Sequence, residues 1–400
     1  MCVVIKREHY LQQIRPFYDS DLIKIITGIR RCGKSVIMGQ IEEELRQAGK
    51  KTLKLDFEKR SVSAAIRTDA DLLACITPEI GEEKLYVFLD EVQMVPDWNL
   101  ACRSLRLENV SLFLTGSNSK LLSGEFTKEL SGRYVSFCIH PFVYREMQAW
   151  CRELGRTYSV GDYLLYGGFP KLPELPDQEA VERYLNDLND TIVMNDILNR
   201  YRIRKTALFT KLTDYVLLSN ARIFSAVSIQ KYLAGQKESC SVNTIMKYLS
   251  YLEEAYVIRQ IPQYSGQAKR TLAYSAKLYD EDVSFNTIRQ RNGRYDLTHN
   301  LENVIYHELV YMGYTLSVFR MDNQEIDFLA RKGTREYLIQ VAYSIAEEST
   351  YNREFALFNR LDQSRRKIII TNDEVDFSTS AVRHIRLRDF LQMESLEENF

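Results

Sequence analysis

Residues 22–49 read LIKIITGIRRCGKSVIMGQIEEELRQAG, from Leu22 to Gly49. An apolar run from Leu22 to Thr27 enters a loop bounded by Gly28 and Gly33, and Lys34-Ser35 opens a helical segment with apolar positions at Val36, Ile37, Ile41 and Leu45. A glycine, four residues, then Gly-Lys-Ser between a strand and a helix is the pattern of a phosphate-binding loop. Glycines let the backbone turn tightly and aim successive N–H groups at an anion without a Cβ in the way. A helix start adds unpaired donors and a positive dipole end. The candidate nucleotide-contacting residues are therefore Gly28, Ile29, Arg30, Arg31, Cys32, Gly33, Lys34, Ser35 and Val36. Lys34 is expected to reach the terminal phosphates of a bound nucleotide and the Ser35 hydroxyl to bind Mg2+.

Downstream, Lys51 to Phe57 reads as a strand, and LYVFLDEVQ ends five apolar residues (Leu85 to Leu89) in Asp90-Glu91, 56 residues beyond Lys34. A continuous apolar run suits a central parallel strand covered on both faces. Acids at its C-terminal end fall in the crevice where such sheets bind ligands. Asp90 is the candidate metal ligand, and Glu91 the candidate base for the attacking water. The next strand, VSLFLTGSN (Val110 to Asn118), ends in Ser117 and Asn118, which suit a γ-phosphate sensor and equally a plain turn. Arg133, in LSGRY, is the candidate arginine for stabilising transferred charge, in cis or from a neighbouring subunit. Arg30 and Arg31 are the alternatives.

Taken together, ITGIRRCGKS, FLDEVQ, LTGSNSKLLS, and LSGRY followed by HPFVYRE resemble the prokaryotic AAA-type P-loop ATPases that carry a winged helix and a C-terminal PD-(D/E)XK-nuclease-like domain of unknown function. Later stretches (YLLYGGFP, TIVMNDI, EIDF) extend the likeness over nearly the whole chain. The resemblance implies ATP binding and hydrolysis. It supplies no substrate.

Composition sets outer bounds. Four hundred residues suggest two to four domains, and 45% apolar with 27% charged residues describes a globular chain. Net charge is −1, so any nucleic-acid footprint must be local. Seven scattered cysteines without a CxxC spacing argue against a disulfide framework or zinc site and for a reducing cytosol. The N-terminus reaches Lys6 and Arg7 before a signal-type apolar region forms, and no run approaches the ~18 apolar residues of a membrane helix. A cytoplasmic protein with no membrane partner is expected.

The expected fold is α/β: a P-loop, AAA-like parallel-sheet domain over residues 1–150, a helical lid over 151–202, an α-rich winged-helix domain over 203–285, and an α/β restriction-endonuclease-like domain over 286–400. Gly167-Gly168-Phe169-Pro170 marks a turn, and one helical run is expected from Gln178 to Arg202. From Ile203 to Tyr279, eleven Lys or Arg face four Asp or Glu. Three helical segments and a hairpin follow one another there in winged-helix order. On the third helix Val242, Ile245, Leu249 and Leu252 line one face, while Asn243, Lys247 and Ser250 face away as candidate DNA contacts. A winged helix also serves as a protein-interaction module, so a protein partner stands beside DNA.

Residues 300–371 alternate helix, three strands, helix and strand. An active nuclease of that order needs an acid on one strand and Glu/Asp-x-Lys on the next, to hold Mg2+ and orient a hydroxide. Asp327 matches the first acid, but Gln340 and Ala342 stand where the second acid and the lysine belong. A degenerate, non-catalytic module is expected. Glu302, Glu308 and Glu325 remain as acids able to rescue a metal site. The leading expectation is a Mg2+-dependent ATPase whose turnover moves recognition modules. The rivals are a nucleotide-gated switch with little turnover and an ATP-regulated nuclease. An arginine supplied in trans would require an oligomer.

Overall fold

The computed structural model describes residues 4–116, 130, 132–264, 276–290, 295–321, 324–359, 361 and 365–399. The chain forms two compact units, Met1–Pro141 with Glu254–Tyr256, and Phe142–Glu253 with Val257–Phe400.

In the first unit, β1 (Ile23–Thr27), β2 (Lys51–Asp56), β3 (Leu85–Asp90), β4 (Val110–Gly116) and β5 (Tyr134–Cys138) form one sheet in the order β2-β3-β4-β1-β5. Every pairing in it is parallel. Each residue of β1, β3 and β4 is buried, as expected for central strands with helices on both faces. β2, at the edge, buries only Leu55. Helix α1 (Glu8–Ile14) precedes β1, and α2 (Lys34–Gln47) follows it, burying Ile37, Met38, Ile41 and Leu45. Side chains three and four apart share a helix face, which is why this spacing docks on the sheet.

A lysine lies inside this sheet. The Lys24 ammonium donates to Ser111 Oγ (2.7 Å) and the Ser20 carbonyl (3.2 Å), and sits 4.7 Å from the Phe113 ring centroid. Burial, helped by the charge of Lys84, pushes its pKa down to about 7.

In the second unit, helix Gln178–Asp190 continues into a wider π-helical stretch, Thr191–Asn199, so the single run expected to Arg202 changes hydrogen-bond register after Asp190. The helices Thr206–Leu218, Ala226–Gly235 and Val242–Glu254 follow, then the antiparallel pair β7 (Ile258–Tyr264) and β8 (Ala276–Asp280). A two-residue strand β6 (Ile223–Phe224) pairs with β8. Helix Leu297–Tyr311 leads into β9 (Thr315–Met321), β10 (Gln324–Lys332) and β11 (Arg335–Val341), then helix Glu348–Asn359, β12 (Arg366–Thr371) and β13 (Arg383–Arg386). All eight strands belong to one sheet, ordered β13-β12-β11-β10-β9-β7-β8-β6. The hairpin β7-β8 is thus continuous with the terminal strands through the parallel pair β7-β9.

The Gly-Gly turn has a steric reason. Gly167 has φ 74°, and a Cβ there would lie 1.9 Å from Asp282 Oδ1. The Gly168 N–H donates to the buried Asp282 carboxylate at 2.7 Å, whose pKa burial pushes up to about 6. Glu308 is likewise buried. One of its oxygens accepts from the Tyr144 N–H (2.9 Å), and burial pushes its pKa up to about 8.

These groups set opposite pH dependences. Between pH 7 and 10.5 the unfolded chain holds the Lys24 proton and the folded unit does not. First-unit stability therefore rises with pH in that window, by at most about 1.4 kcal/mol per pH unit from this group. Glu308 keeps its proton in the fold from pH 4.5 to about 8, so its contribution is fully present below 4.5 and is lost by 8. Thermal unfolding across pH should show the first dependence flattened in Lys24→Met and the second in Glu308→Gln. Unchanged profiles would refute the assignments.

Candidate functional site

The loop after β1 turns where its residue types allow. Gly28 has φ 141°, and a Cβ there would lie 2.1 Å from the Ile139 carbonyl oxygen, so only glycine lets the loop pass. Arg31 (φ 68°) and Gly33 (φ 101°) are also left-handed. Gly33 is the N-cap of α2 and offers no side-chain acceptor, so the first-turn N–H groups keep donor capacity for an anion. Lys34 is buried, and its ammonium donates to the carbonyls of Gly28 (3.1 Å) and Ile29 (3.0 Å), arching over its own loop.

Beside the loop, the tips of β3 and β4 complete a polar relay. The Ser35 hydroxyl donates to Asp90 Oδ1 at 3.1 Å. The Thr115 hydroxyl also donates to Asp90 Oδ1 while accepting the Glu91 N–H at 2.9 Å. One hydroxyl therefore fixes both acids. Glu91 is left-handed (φ 55°), a conformation costing about 1–3 kcal/mol for such a residue, and its carboxylate accepts from the Gln93 amide. Because β4 lies between β1 and β3, the tip of β4 is where Thr115 must sit to reach both acids.

The donor set fits Mg2+. A hydroxyl and a carboxylate oxygen held together are hard oxygen ligands, and such an ion takes its remaining positions from phosphates and water.

The rest of the predicted set divides. Ile29 and Cys32 are buried under the loop, while Arg31, Ser35 and Val36 are exposed. Arg30 pairs with Glu58 at 3.8 Å. Arg133 is not brought to the loop. It precedes β5, and its carbonyl accepts the N–H of Ile23 at the start of β1, the opposite end of the sheet from Gly28. A cis role is therefore corrected: residues before a parallel strand sit away from the ligand-binding end. Ser117 and Asn118 lie outside the described residues.

Two residues escaped sequence reasoning. Thr115 was signalled only by being a polar residue at the end of an apolar strand. Arg7 carried no local signal, yet it is 2% exposed and its guanidinium donates to the carbonyls of Cys32 (3.0 Å) and His140 (3.0 Å).

In the second unit, Glu302, Asp327 and Gln340 come together with Lys277. The ammonium is 2.6 Å from Glu302, 2.8 Å from Asp327 and 2.9 Å from Glu325. Gln340 Oε1 accepts the Asp327 N–H at 3.3 Å, and its amide donates to Glu354 at 2.9 Å. On helix Val242–Glu254, Ile245, Tyr248, Leu249 and Leu252 are buried, while Asn243, Met246 and Lys247 are exposed. Lys247 lies 5.8 Å from the Tyr251 ring centroid, and Tyr251 stacks on Tyr201 at 3.6 Å.

Comparison with known proteins agrees with an AAA-type domain in the first part of the chain. Residues 20–148 match the model of an AAA domain. Residues 157–289 match a domain of unknown function (DUF8612) and residues 298–390 another (DUF4143). The chain is 33% identical over 382 residues to an uncharacterized protein of Haemophilus influenzae, covering 92% of this chain and 93% of the relative. It is 30% identical over 382 residues to an uncharacterized protein of Methanocaldococcus jannaschii, covering 88% and 82%. Among solved structures, a Walker-type ATPase of Pyrococcus abyssi aligns with TM-score 0.49 and 17% identity, over 72% of this chain and 96% of that one. No described helix is long and apolar enough to cross a membrane.

Proposed function

We propose, from the premise that this chain belongs to one family with the Haemophilus influenzae protein and carries an AAA domain, that its first unit binds ATP with Mg2+ and hydrolyses it. The observation that carries the reading is the Ser35–Asp90 bond, which ties the glycine loop to the acid pair. In this reading the loop N–H groups and Lys34 hold the phosphates, the lysine exchanging its two carbonyl contacts for phosphate oxygens. Ser35 and Asp90 hold Mg2+, which when bound offsets the phosphate charge. Glu91 takes the proton of the attacking water. Arg30 or Arg31 faces the transferred charge, or Arg133 does so from a second copy of the chain. The helices and hairpin over residues 203–285 act as a winged-helix recognition module, with Asn243 and Lys247 on the face offered to DNA. The nuclease-like module over 286–400 recognises without cutting.

The test is binding of a fluorescent ATP analogue with and without Mg2+, followed by steady-state hydrolysis with and without duplex DNA. No binding would sink the reading. Binding with negligible turnover, unchanged by DNA, would replace it by the switch. DNA contact through Lys247 should weaken steeply with added salt.

Thr115 gives a sharper prediction. Thr115→Val keeps the shape of the side chain and removes both hydroxyl bonds, worth together ~2–3 kcal/mol. Turnover should fall roughly 30–100-fold, with nucleotide affinity changed far less. Equal loss of affinity and turnover would mean that Thr115 supports the fold and not the acid pair.

A further inference from the structure

We propose that the Lys277 ammonium is the resident cation of a three-carboxylate cage in the second unit, standing where a divalent metal ion would otherwise be held. The lysine comes from β8, two acids come from β10, and Glu302 comes from helix Leu297–Tyr311. Its three N–H donors meet three separate carboxylates at 2.6, 2.8 and 2.9 Å, so its donor capacity is used in full. Lys277 is 3% exposed. Burial works against its charge, but the carboxylates of Asp327, Glu302 and Glu325 outweigh burial and raise its pKa.

The cage is built around this point. The β9–β10 register shifts between Ile326 and Leu329, and Asp327 lies inside that irregularity, the kind of local bend that re-aims a side chain. Asp327 Oδ2 takes the Val341 N–H at 2.9 Å, leaving Oδ1 for the ammonium. The Tyr279 hydroxyl donates to Glu302 Oε1 at 2.6 Å. Asp327 and Glu325 alone bring two negative charges to one ammonium. Oxygen ligands converging on a point with surplus negative charge are what a hard divalent cation binds.

Size separates the two occupants. The N···O distances of 2.6–2.9 Å exceed the ~2.0–2.1 Å of magnesium–oxygen bonds and lie nearer the ~2.3–2.6 Å of calcium. With the ammonium as hub, the oxygens are held too far apart for a small ion. Among the described residues no group of three or more His, Cys, Asp or Glu is arranged to hold a metal. Metal-assisted hydrolysis needs an ion here to generate hydroxide. On the nuclease-like reading of the module, on which this consequence rests, Lys277 leaves it without the ion that cutting needs, independently of Gln340 and Ala342.

The experiment is metal titration of nucleotide-free full-length protein. Lys277→Met should gain one Ca2+ site by calorimetry, with a saturable rise in Tm for Ca2+ larger than for Mg2+. Wild type should show neither. Terbium(III) bound in the cage of Lys277→Met should be sensitised by Tyr279, and its luminescence should fall in Lys277→Met/Tyr279→Phe and vanish in Lys277→Met/Asp327→Asn. Should Lys277→Met unfold without metal, recovery of its fold on adding Ca2+ supports the proposal, and failure to recover overturns it. Metal binding by wild type that is lost in Asp327→Asn also overturns it, as does a folded Lys277→Met that takes no ion.

Discussion

Glu91→Gln should bind ATP as tightly as wild type and hydrolyse it about 10²–10⁴-fold more slowly, the usual worth of a positioned general base. The substitution keeps size and shape and removes only the carboxylate's ability to take a proton. Neither bond that fixes its position is broken. The residue 91 N–H still donates to Thr115, and the left-handed backbone at this position is set by the turn after β3. Binding groups are untouched, because the Ser35–Asp90 contact and the Lys34 ammonium do not involve Glu91. Glutamine at 91 retains an amide oxygen for the Gln93 side chain. The measurement is Kd for an ATP analogue together with single-turnover hydrolysis. Wild-type turnover would show that water is activated elsewhere. A comparable loss of affinity would show that Glu91 holds the metal, and the roles of the two acids would have to be exchanged.

What could be read from the chain alone was what is local along it. The glycine loop, the helix after it and the acid pair are defined by residues adjacent in sequence, and their strand is marked by an unbroken apolar run from Leu85 to Leu89. The helix and strand order after Leu297 was legible for the same reason. Groups that meet only in three dimensions were not. Lys277 reaches Asp327 across 50 residues, and Arg7 reaches His140 across 133. Nothing in the patterning of either stretch distinguishes a buried cation from a surface one. The joining of β7 to β9 was invisible too, because a hairpin reads alike whether its edge is free or paired. The cis alternative for Arg133 could have been set aside beforehand: in a parallel sheet the residue before a strand lies at the end away from the ligand. The acids of the terminal module were recognised one at a time, but the cation that pairs with them, Lys277, lies outside the segment assigned to that module.

Arg7→Met should lower the Tm of the first unit by roughly 10 °C, the shift expected of ~3–4 kcal/mol in a unit of this size. The reasoning is geometric. The guanidinium is buried, rests 4.5 Å from the Tyr10 ring centroid, and gives one N–H to the Cys32 carbonyl inside the phosphate loop and another to the His140 carbonyl beyond β5. Methionine fills much of the same volume but removes a charged donor from both carbonyls, at ~1.5–2 kcal/mol for each such hydrogen bond lost. Arg7→Lys should recover only part of the loss, since one ammonium lacks the planar fork that serves two acceptors at fixed positions. A purely structural role would lower Tm and leave binding by the folded protein intact. A role in shaping the loop predicts more: at a temperature where Arg7→Lys is fully folded, its affinity for Mg-ATP should fall about tenfold, a cost of ~1.4 kcal/mol. The Cys32 carbonyl sits directly before Gly33, whose left-handed turn begins α2, so freeing that carbonyl lets the loop N–H groups drift from a common focus. Wild-type affinity in folded Arg7→Lys would refute this coupling and reduce Arg7 to a strut of the fold.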